Sequence, residues 1–168
     1  MRWWTPLIFV AACTGDGGET GLTPEELCAG EGSKSVTIGT GAGSAFSAFQ
    51  DGDSATLEVA PQGGFGVKIR ASTTGLQADE VVEVRVDTEL GGELSDSFTN
   101  PNVQLFCQDD GTGLFTDVVV GLDREVYKTL DDLFPLDGET VDLVVGVTDA
   151  RGTSAEGRVR VEIQVGAR

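Results

Sequence analysis

The sequence contains no histidine. Histidine is the usual general base, activates the serine or cysteine nucleophile of hydrolase triads, and is the most common transition-metal ligand in proteins. Its absence argues against such triads and against a typical catalytic zinc site, which combines histidine with cysteine or carboxylate. The catalysis that the composition leaves open is carboxylate-based, as in glycoside hydrolysis.

Aromatic residues are scarce as well. There is one tyrosine, and both tryptophans, Trp3 and Trp4, lie at the N-terminus. Few aromatic rings are therefore available to stack against a sugar. We expect a protein that is not an enzyme and carries no cofactor, and we keep a carboxylate-based hydrolase as an alternative.

Basic residues are few, with 11 Lys and Arg against 28 Asp and Glu and a formal net charge of −17. Proteins bind nucleic acid by neutralising its phosphates with Lys and Arg, so the composition excludes a nucleic-acid partner. The acidity instead favours solubility and cationic partners, including divalent ions.

Long hydrophobic runs are missing too. One apolar stretch runs from Trp3 to Val10 after the positive charge of Arg2, and two alanines then precede Cys13. The stretch is much shorter than the roughly 20 residues that a membrane-spanning helix needs. Its layout is typical of a signal peptide.

The segment Val10-Ala11-Ala12-Cys13 resembles the lipobox of bacterial lipoproteins. The resemblance implies cleavage after Ala12 and lipidation of Cys13, whose several acyl chains would form a stable membrane anchor. Thr14 stands where inner-membrane lipoproteins commonly have aspartate, so the resemblance implies the outer membrane. The alternative is an ordinary secretory signal that releases the protein.

Glycine-rich residues 14–21 have the composition of a flexible tether. The predicted organisation is therefore a signal peptide over residues 1–12, a lipidated cysteine and tether over 13–22, and one folded domain over 23–168. Within the start of that domain, Thr23 and Glu26 have the spacing of a helix capping box.

Two cysteines, Cys28 and Cys107, remain once Cys13 is assigned to lipid. An even pair in an oxidising compartment predicts a disulfide, and two unpaired buried thiols are the alternative.

From residue 34 onward, short runs rich in Val, Ile, Thr and Phe alternate with Gly, Asp, Asn and Pro, which is typical of all-β proteins. Apolar and charged residues alternate most clearly over 82–86 and 159–163, as a strand with one face on the core requires. A short helix or crossover loop is predicted over 125–134. The predicted strands are residues 34–39, 45–50, 55–60, 64–73, 80–90, 103–108, 118–122, 141–149 and 157–164.

Residues 136–153, with the turns Leu136-Asp137-Gly138-Glu139 and Asp149-Ala150-Arg151-Gly152, resemble the final hairpin of bacterial immunoglobulin-like and fibronectin-like domains. The resemblance implies an all-β, immunoglobulin-like antiparallel β-sandwich of about seven to nine strands. The antibody-type Cys-Trp-Cys core is missing.

Asp-rich turns are the candidate metal sites, because calcium takes oxygen ligands. Solvated turns and caps are the alternative interpretation. The glycine-rich segment 39–44 lacks the Gly-Lys-Ser/Thr of a phosphate-binding loop, and we interpret it as a connection between strands. The calcium candidates are Asp51, Asp53, Asp109, Asp110, Asp123 and Glu125.

Together these features predict an envelope lipoprotein that is attached to the membrane through lipid on Cys13. Its β-domain is expected to serve as a non-enzymatic binding or accessory module with an envelope protein as its partner. A solitary domain that binds calcium or a glycan is the alternative.

Overall fold

The computed structural model describes residues 23–60 and 63–166. The predicted signal peptide, the predicted lipidation site Cys13 and the predicted tether lie outside the described residues. No helix within the described ranges has the length and apolar character to cross a membrane. The elements are α1 (Pro24–Leu27), β1 (Ser35–Thr40), β2 (Ser47–Ala48), β3 (Asp53–Val59), β4 (Phe65–Thr74), β5 (Glu80–Leu90), β6 (Glu93–Cys107), β7 (Gly113–Gly121), α2 (Leu130–Leu133), a 3-10 turn (Phe134–Leu136), β8 (Thr140–Thr148) and β9 (Ser154–Gln164).

Seven of the nine strands described form a closed ring. Its order is β4-β3-β9-β8-β5-β6-β7, and β7 pairs back onto β4. β1 pairs with β4, and the short β2 pairs with β1. All pairings are antiparallel except that of β3 with β9. The prediction of an all-β domain is therefore confirmed.

The ring closes because two strands change partners along their length. Residues 53–56 of β3 pair with β9, whereas residues 57–59 pair with β4. β6 pairs with β5 over most of its length and with β7 only at Phe106 and Cys107. The fold is thus barrel-like, and the expectation of two separate packed sheets needs this correction.

The inner face of the barrel follows the predicted alternation. Val82, Val84 and Val86 of β5 are each 1% exposed, while the residues between them point outward. In β9, Val159, Val161 and Ile163 are buried in the same way. These valines pack around large central side chains, including Phe115 and Leu105, which are fully buried.

β6 begins ten residues earlier than predicted. Its first half is polar and exposed on much of its surface, so it gives no alternation signal. Pro101 lies in the irregular register between the pairs Val82–Val103 and Val84–Asn100. A proline is tolerated at such a bulge because its missing N–H is not needed there.

The strand register separates the barrel into two ends. The disulfide end contains Cys28, the turns at residues 75–79 and 108–112, and the β8–β9 turn at 149–153. The distal end contains Ala60, Gly63–Gly64, the turn at 91–92 and residues 122–139. β4 runs from the distal to the disulfide end, and its 10 residues span about 30 Å at roughly 3.3 Å per residue.

The N-terminal segment is held at the disulfide end. The predicted Cys28–Cys107 disulfide is present, with its Cα atoms 5.9 Å apart. Arg151 Nη2 donates a hydrogen bond to the Ala29 carbonyl at 2.6 Å. The capping box also forms, since the Thr23 N–H donates to Glu26 Oε2 at 2.8 Å and the Glu26 N–H to Thr23 Oγ1 at 3.3 Å.

Candidate functional site

The predicted calcium ligands Asp51 and Asp53 lie at the turn that leads into β3. Both side chains accept hydrogen bonds from backbone N–H groups. Asp53 Oδ2 accepts a hydrogen bond from the Gln50 N–H at 2.8 Å. Asp51 Oδ1 accepts from the Arg160 N–H at 2.9 Å. These bonds fix the turn and its contact with β9, which is the ordinary role of aspartate in turns.

Asp109 and Asp110 lie in the β6–β7 turn at the disulfide end. Asp110 Oδ1 accepts from the Thr112 hydroxyl at 2.7 Å and from the Thr112 N–H at 3.0 Å. Both bonds favour the charged carboxylate, so they lower the pKa of Asp110.

Asp123 and Glu125 lie at the other end of the barrel. Asp123 Oδ1 accepts from the Glu125 N–H at 2.8 Å, and Glu125 forms an exposed ion pair with Lys128 at 3.8 Å. Within the described ranges, no three acidic or cysteine side chains form a group that could hold a metal ion. The six candidates are therefore not brought together.

The glycine-rich connection between β1 and β2 is held by Arg70 of β4. Arg70 is 4% exposed. Its Nη1 donates to the carbonyls of Gly43 at 2.6 Å and Ala45 at 2.9 Å, and its Nη2 lies 3.4 Å from Asp117 Oδ1. These contacts offset part of the cost of burying the guanidinium, whose Nε is buried without a hydrogen-bond partner. They give the loop a structural role.

A hydrophobic groove opens at the distal end, where β3, β4, α2 and the end of β9 meet. Its cavity has a volume of about 230 Å³, and its lining includes no ionisable side chain among the residues described. The side chains that argue for a contact surface are Leu57, Val59, Phe65, Leu130, Phe134 and Val165.

Three large apolar side chains of the groove are exposed to solvent. Val59 is 70% exposed, Leu130 is 58% exposed and Phe134 is 40% exposed. Exposed apolar residues are common singly, whereas a contiguous group beside a cavity is a candidate contact surface. We call the six side chains of the previous paragraph, together with the cavity, the distal groove.

Local hydrogen bonds position α2 beside the groove. Asp132 Oδ2 accepts from the Thr129 N–H at 2.8 Å, the Thr129 hydroxyl at 2.9 Å and the Lys128 N–H at 3.0 Å. These bonds lower the pKa of Asp132, first through the Thr129 hydroxyl. Leu133 is 1% exposed and anchors the turn in the core, which leaves Leu130 facing the solvent.

Asp137 connects the segment after α2 to the end of β9. Its Oδ1 accepts from the Val165 N–H at 2.9 Å. In addition, the Gly138 N–H donates to the Ile163 carbonyl at 2.9 Å. The two walls of the groove are therefore held together by hydrogen bonds.

The surroundings of the groove are acidic. Residues 121–139 contain six acidic side chains and two basic ones. One of the two basic residues, Lys128, is paired with Glu125. An apolar cavity thus lies within a region of net negative charge.

Sequence reasoning predicted a short helix or a crossover loop over 125–134, and α2 lies within this range, but the groove was not predicted. Val126, Leu130, Leu133 and Phe134 have helical spacing, and of these four only Leu133 is buried. A helix as short as α2 cannot turn all the apolar side chains of this segment toward the core. Their number was therefore the available signal for an exposed apolar surface.

No protein-family model matches the sequence, and no curated protein matches it. Among solved structures, the chain is similar to one described as murine CRIg. The two share 13% sequence identity with a TM-score of 0.32, over 81% of this chain and 100% of that chain. At this TM-score, the similarity assigns neither family nor function.

Proposed function

We propose that the protein is a bacterial lipoprotein whose immunoglobulin-like domain acts as a non-enzymatic binding or accessory module through the distal groove. The observation that carries this proposal is the exposed apolar groove at the end of the barrel opposite the N-terminal segment.

The strand pairings support the immunoglobulin-like interpretation. Immunoglobulin-like domains place strands A, B, E and D in one sheet and G, F, C and C′ in the other. Here the first order is matched by β3-β4-β7-β6 and the second by β9-β8-β5-β6. The long β6 takes two places, and β3 pairs with both β4 and β9, which together account for the closed ring.

The position of the N-terminal segment supports presentation of the groove away from a membrane. A lipidated Cys13 would connect to Thr23 through the tether, which averages about 17 Å if it behaves as a flexible chain. The chain then enters the barrel at the disulfide end, about 30 Å from the groove by strand length. A partner in the envelope would thus reach the groove without approaching the lipid surface.

The groove itself supports binding over catalysis. Its lining is hydrophobic, whereas acid–base catalysis needs titratable groups positioned at the reacting atoms. An outer-membrane location remains part of the proposal, since it follows from Thr14 after the lipidated cysteine.

The anchor is tested by Cys13→Ser in the full chain. We expect the protein that keeps Cys13 to fractionate with membranes and to carry acyl chains by mass spectrometry. The variant should lose both properties, and retention of the acylated mass in the variant would refute lipidation at Cys13.

The contact surface is tested by chemical cross-linking in intact cells. Val59→Ser with Leu130→Ser should abolish a cross-linked product of defined mass. The matched control is Val81→Ser with Phe106→Ser, because these apolar residues are 48% and 50% exposed near the disulfide end. Equal loss in both double variants would contradict a role for the groove.

A further inference from the structure

We infer that the distal groove takes a protein segment that carries hydrophobic side chains flanked by lysine or arginine. This inference rests on the proposed function, because it names the chemistry of the partner at the same surface.

The size of the cavity favours a few side chains of a protein over a small-molecule ligand. Ligand pockets commonly enclose about 300–1,000 Å³ and bury most of a drug-sized molecule. The groove encloses only about 230 Å³ and is open to solvent. A cavity of this size suits apolar anchors that project from a larger surface, as in helix-in-groove recognition.

The lining determines the apolar part of the partner. Val59 of β3 and Leu130 of α2 present exposed hydrophobic side chains to the groove, and the lining residue Phe65 of β4 is buried. Covering these side chains with apolar groups removes them from water, which is the main favourable term in such contacts. A polar segment would gain no hydrogen bonds from these apolar side chains.

The charges beside the lining determine which residues should flank the hydrophobic side chains of the partner. Asp131 lies between the lining residues Leu130 and Leu133 in the chain, and Asp137 bonds to the backbone of Val165. Asp132 is also next to the lining, and its hydrogen bonds favour the ionised form. These carboxylates would attract cationic groups at the rim, where complementary charge mainly raises the association rate and the specificity.

The same charges disfavour two other occupants. A second copy of the chain would bring two acidic rims together, and like charges across an interface oppose association. A membrane surface with anionic headgroups would be repelled for the same reason. A basic, partly apolar segment satisfies both the lining and the rim.

The experiment uses two synthetic peptides of 15 residues and the protein purified from cells that express the full chain. One peptide has leucines at helical spacing and lysines elsewhere, and the other has glutamates in place of the lysines. Fluorescence anisotropy gives Kd for each peptide. We expect the lysine peptide to bind and the glutamate peptide to bind at least about tenfold more weakly.

Variants locate the binding. Val59→Ser with Leu130→Ser should weaken the lysine peptide about tenfold or more, while Val81→Ser with Phe106→Ser should leave Kd within about twofold. Asp131→Asn with Asp137→Asn should weaken it more than Glu83→Gln with Glu156→Gln, which neutralises exposed acids on the side of the barrel. The Asn side chains keep a carbonyl oxygen that can accept the hydrogen bonds of the native carboxylates.

The outcomes separate this inference from the proposed function. If the lysine peptide binds equally to all variants, general attraction to an acidic protein explains it and the inference is wrong. If the glutamate peptide binds as well and needs Val59 and Leu130, the groove remains the contact surface but the basic partner is overturned. If neither peptide binds, the inference also fails, while cross-linking in cells still decides the proposed function.

Discussion

Cys28 and Cys107 join the start of the folded domain to the last residue of β6, with their Cα atoms 5.9 Å apart and a sequence separation of 79. The bond fixes the N-terminal segment at one end of the barrel. Val59, the most exposed residue of the distal groove, lies at the other end. The described start of the chain and the proposed contact surface are therefore separated by the length of the barrel.

Removing this disulfide should destabilise the domain. In the chain-entropy model, a loop of this length contributes on the order of 4 kcal/mol, because the cross-link restricts the unfolded chain. Urea unfolding of Cys28→Ser with Cys107→Ser, compared with the oxidised protein, measures the loss. An unchanged unfolding midpoint would show that the bond contributes little.

Asp149 should be more important for stability than other turn aspartates. Its side chain is 0% exposed and accepts hydrogen bonds from the N–H groups of Gln77, Arg151 and Thr153 at 3.1, 3.0 and 2.8 Å. Asp149→Ala should cost about 2 kcal/mol, because it leaves buried donors without acceptors. Asp109→Ala, in another turn of the same end, is the matched control for urea unfolding, and an equal loss there would contradict the assignment.

Asp149 should also contribute to acid unfolding. Burial alone would raise its pKa, but the backbone hydrogen bonds from Gln77, Thr153 and Arg151 outweigh burial and lower it from the ordinary value of 3.8. A carboxylate with a lowered pKa stabilises the fold above its unfolded pKa, and this stability is lost as pH falls through the folded pKa. Unfolding free energies measured from pH 7 downward should therefore decline below about pH 4, and less steeply in Asp149→Asn.

Two glycines of the β8–β9 hairpin should respond differently to alanine. A Cβ at Gly157 would collide with the Val36 carbonyl oxygen, because β1 crosses β9 closely there. A Cβ at Gly146 would meet only the Arg85 Cβ at 4.0 Å. Gly157→Ala should cost about 1–3 kcal/mol by overpacking, whereas Gly146→Ala should leave the melting temperature nearly unchanged. Similar melting temperatures for the two variants would contradict the close crossing.

Calcium should not stabilise the domain specifically. The candidate carboxylates lie in separate turns, and within the described ranges they form no group that could hold a metal ion. A ligand raises stability only if it binds the native state selectively. Differential scanning fluorimetry with millimolar calcium, and magnesium as control, measures this. A rise in melting temperature with calcium alone would restore the calcium-binding alternative.

The sequence predicted the elements that have a strong local pattern. Val82, Val84 and Val86 alternate with charged residues, and their strand begins and ends where predicted. The first half of β6 was missed because residues 93–102 carry polar side chains on both faces and include Pro101. The local sequence pattern does not predict this part of β6, which forms because it pairs with β5.

Closure of the barrel and formation of the groove depend on contacts between distant segments. β3 divides its pairing between β9 and β4, and no feature of residues 53–59 indicates where the change occurs. Similarly, Leu130 and Leu133 are the same amino acid in one helical turn, yet one is 58% exposed and the other 1%. Their difference follows from the position of α2 on the barrel.

The central claim is that the distal groove is the contact surface, and site-specific photo-cross-linking tests it most directly. A photoreactive residue is placed at position 130 or, as control, at position 106 of the full chain in intact cells. We predict a recurrent cross-linked protein from position 130 that is absent from position 106 and lost when Val59→Ser is added. A recurrent product from position 106 with none from position 130 would contradict the claim.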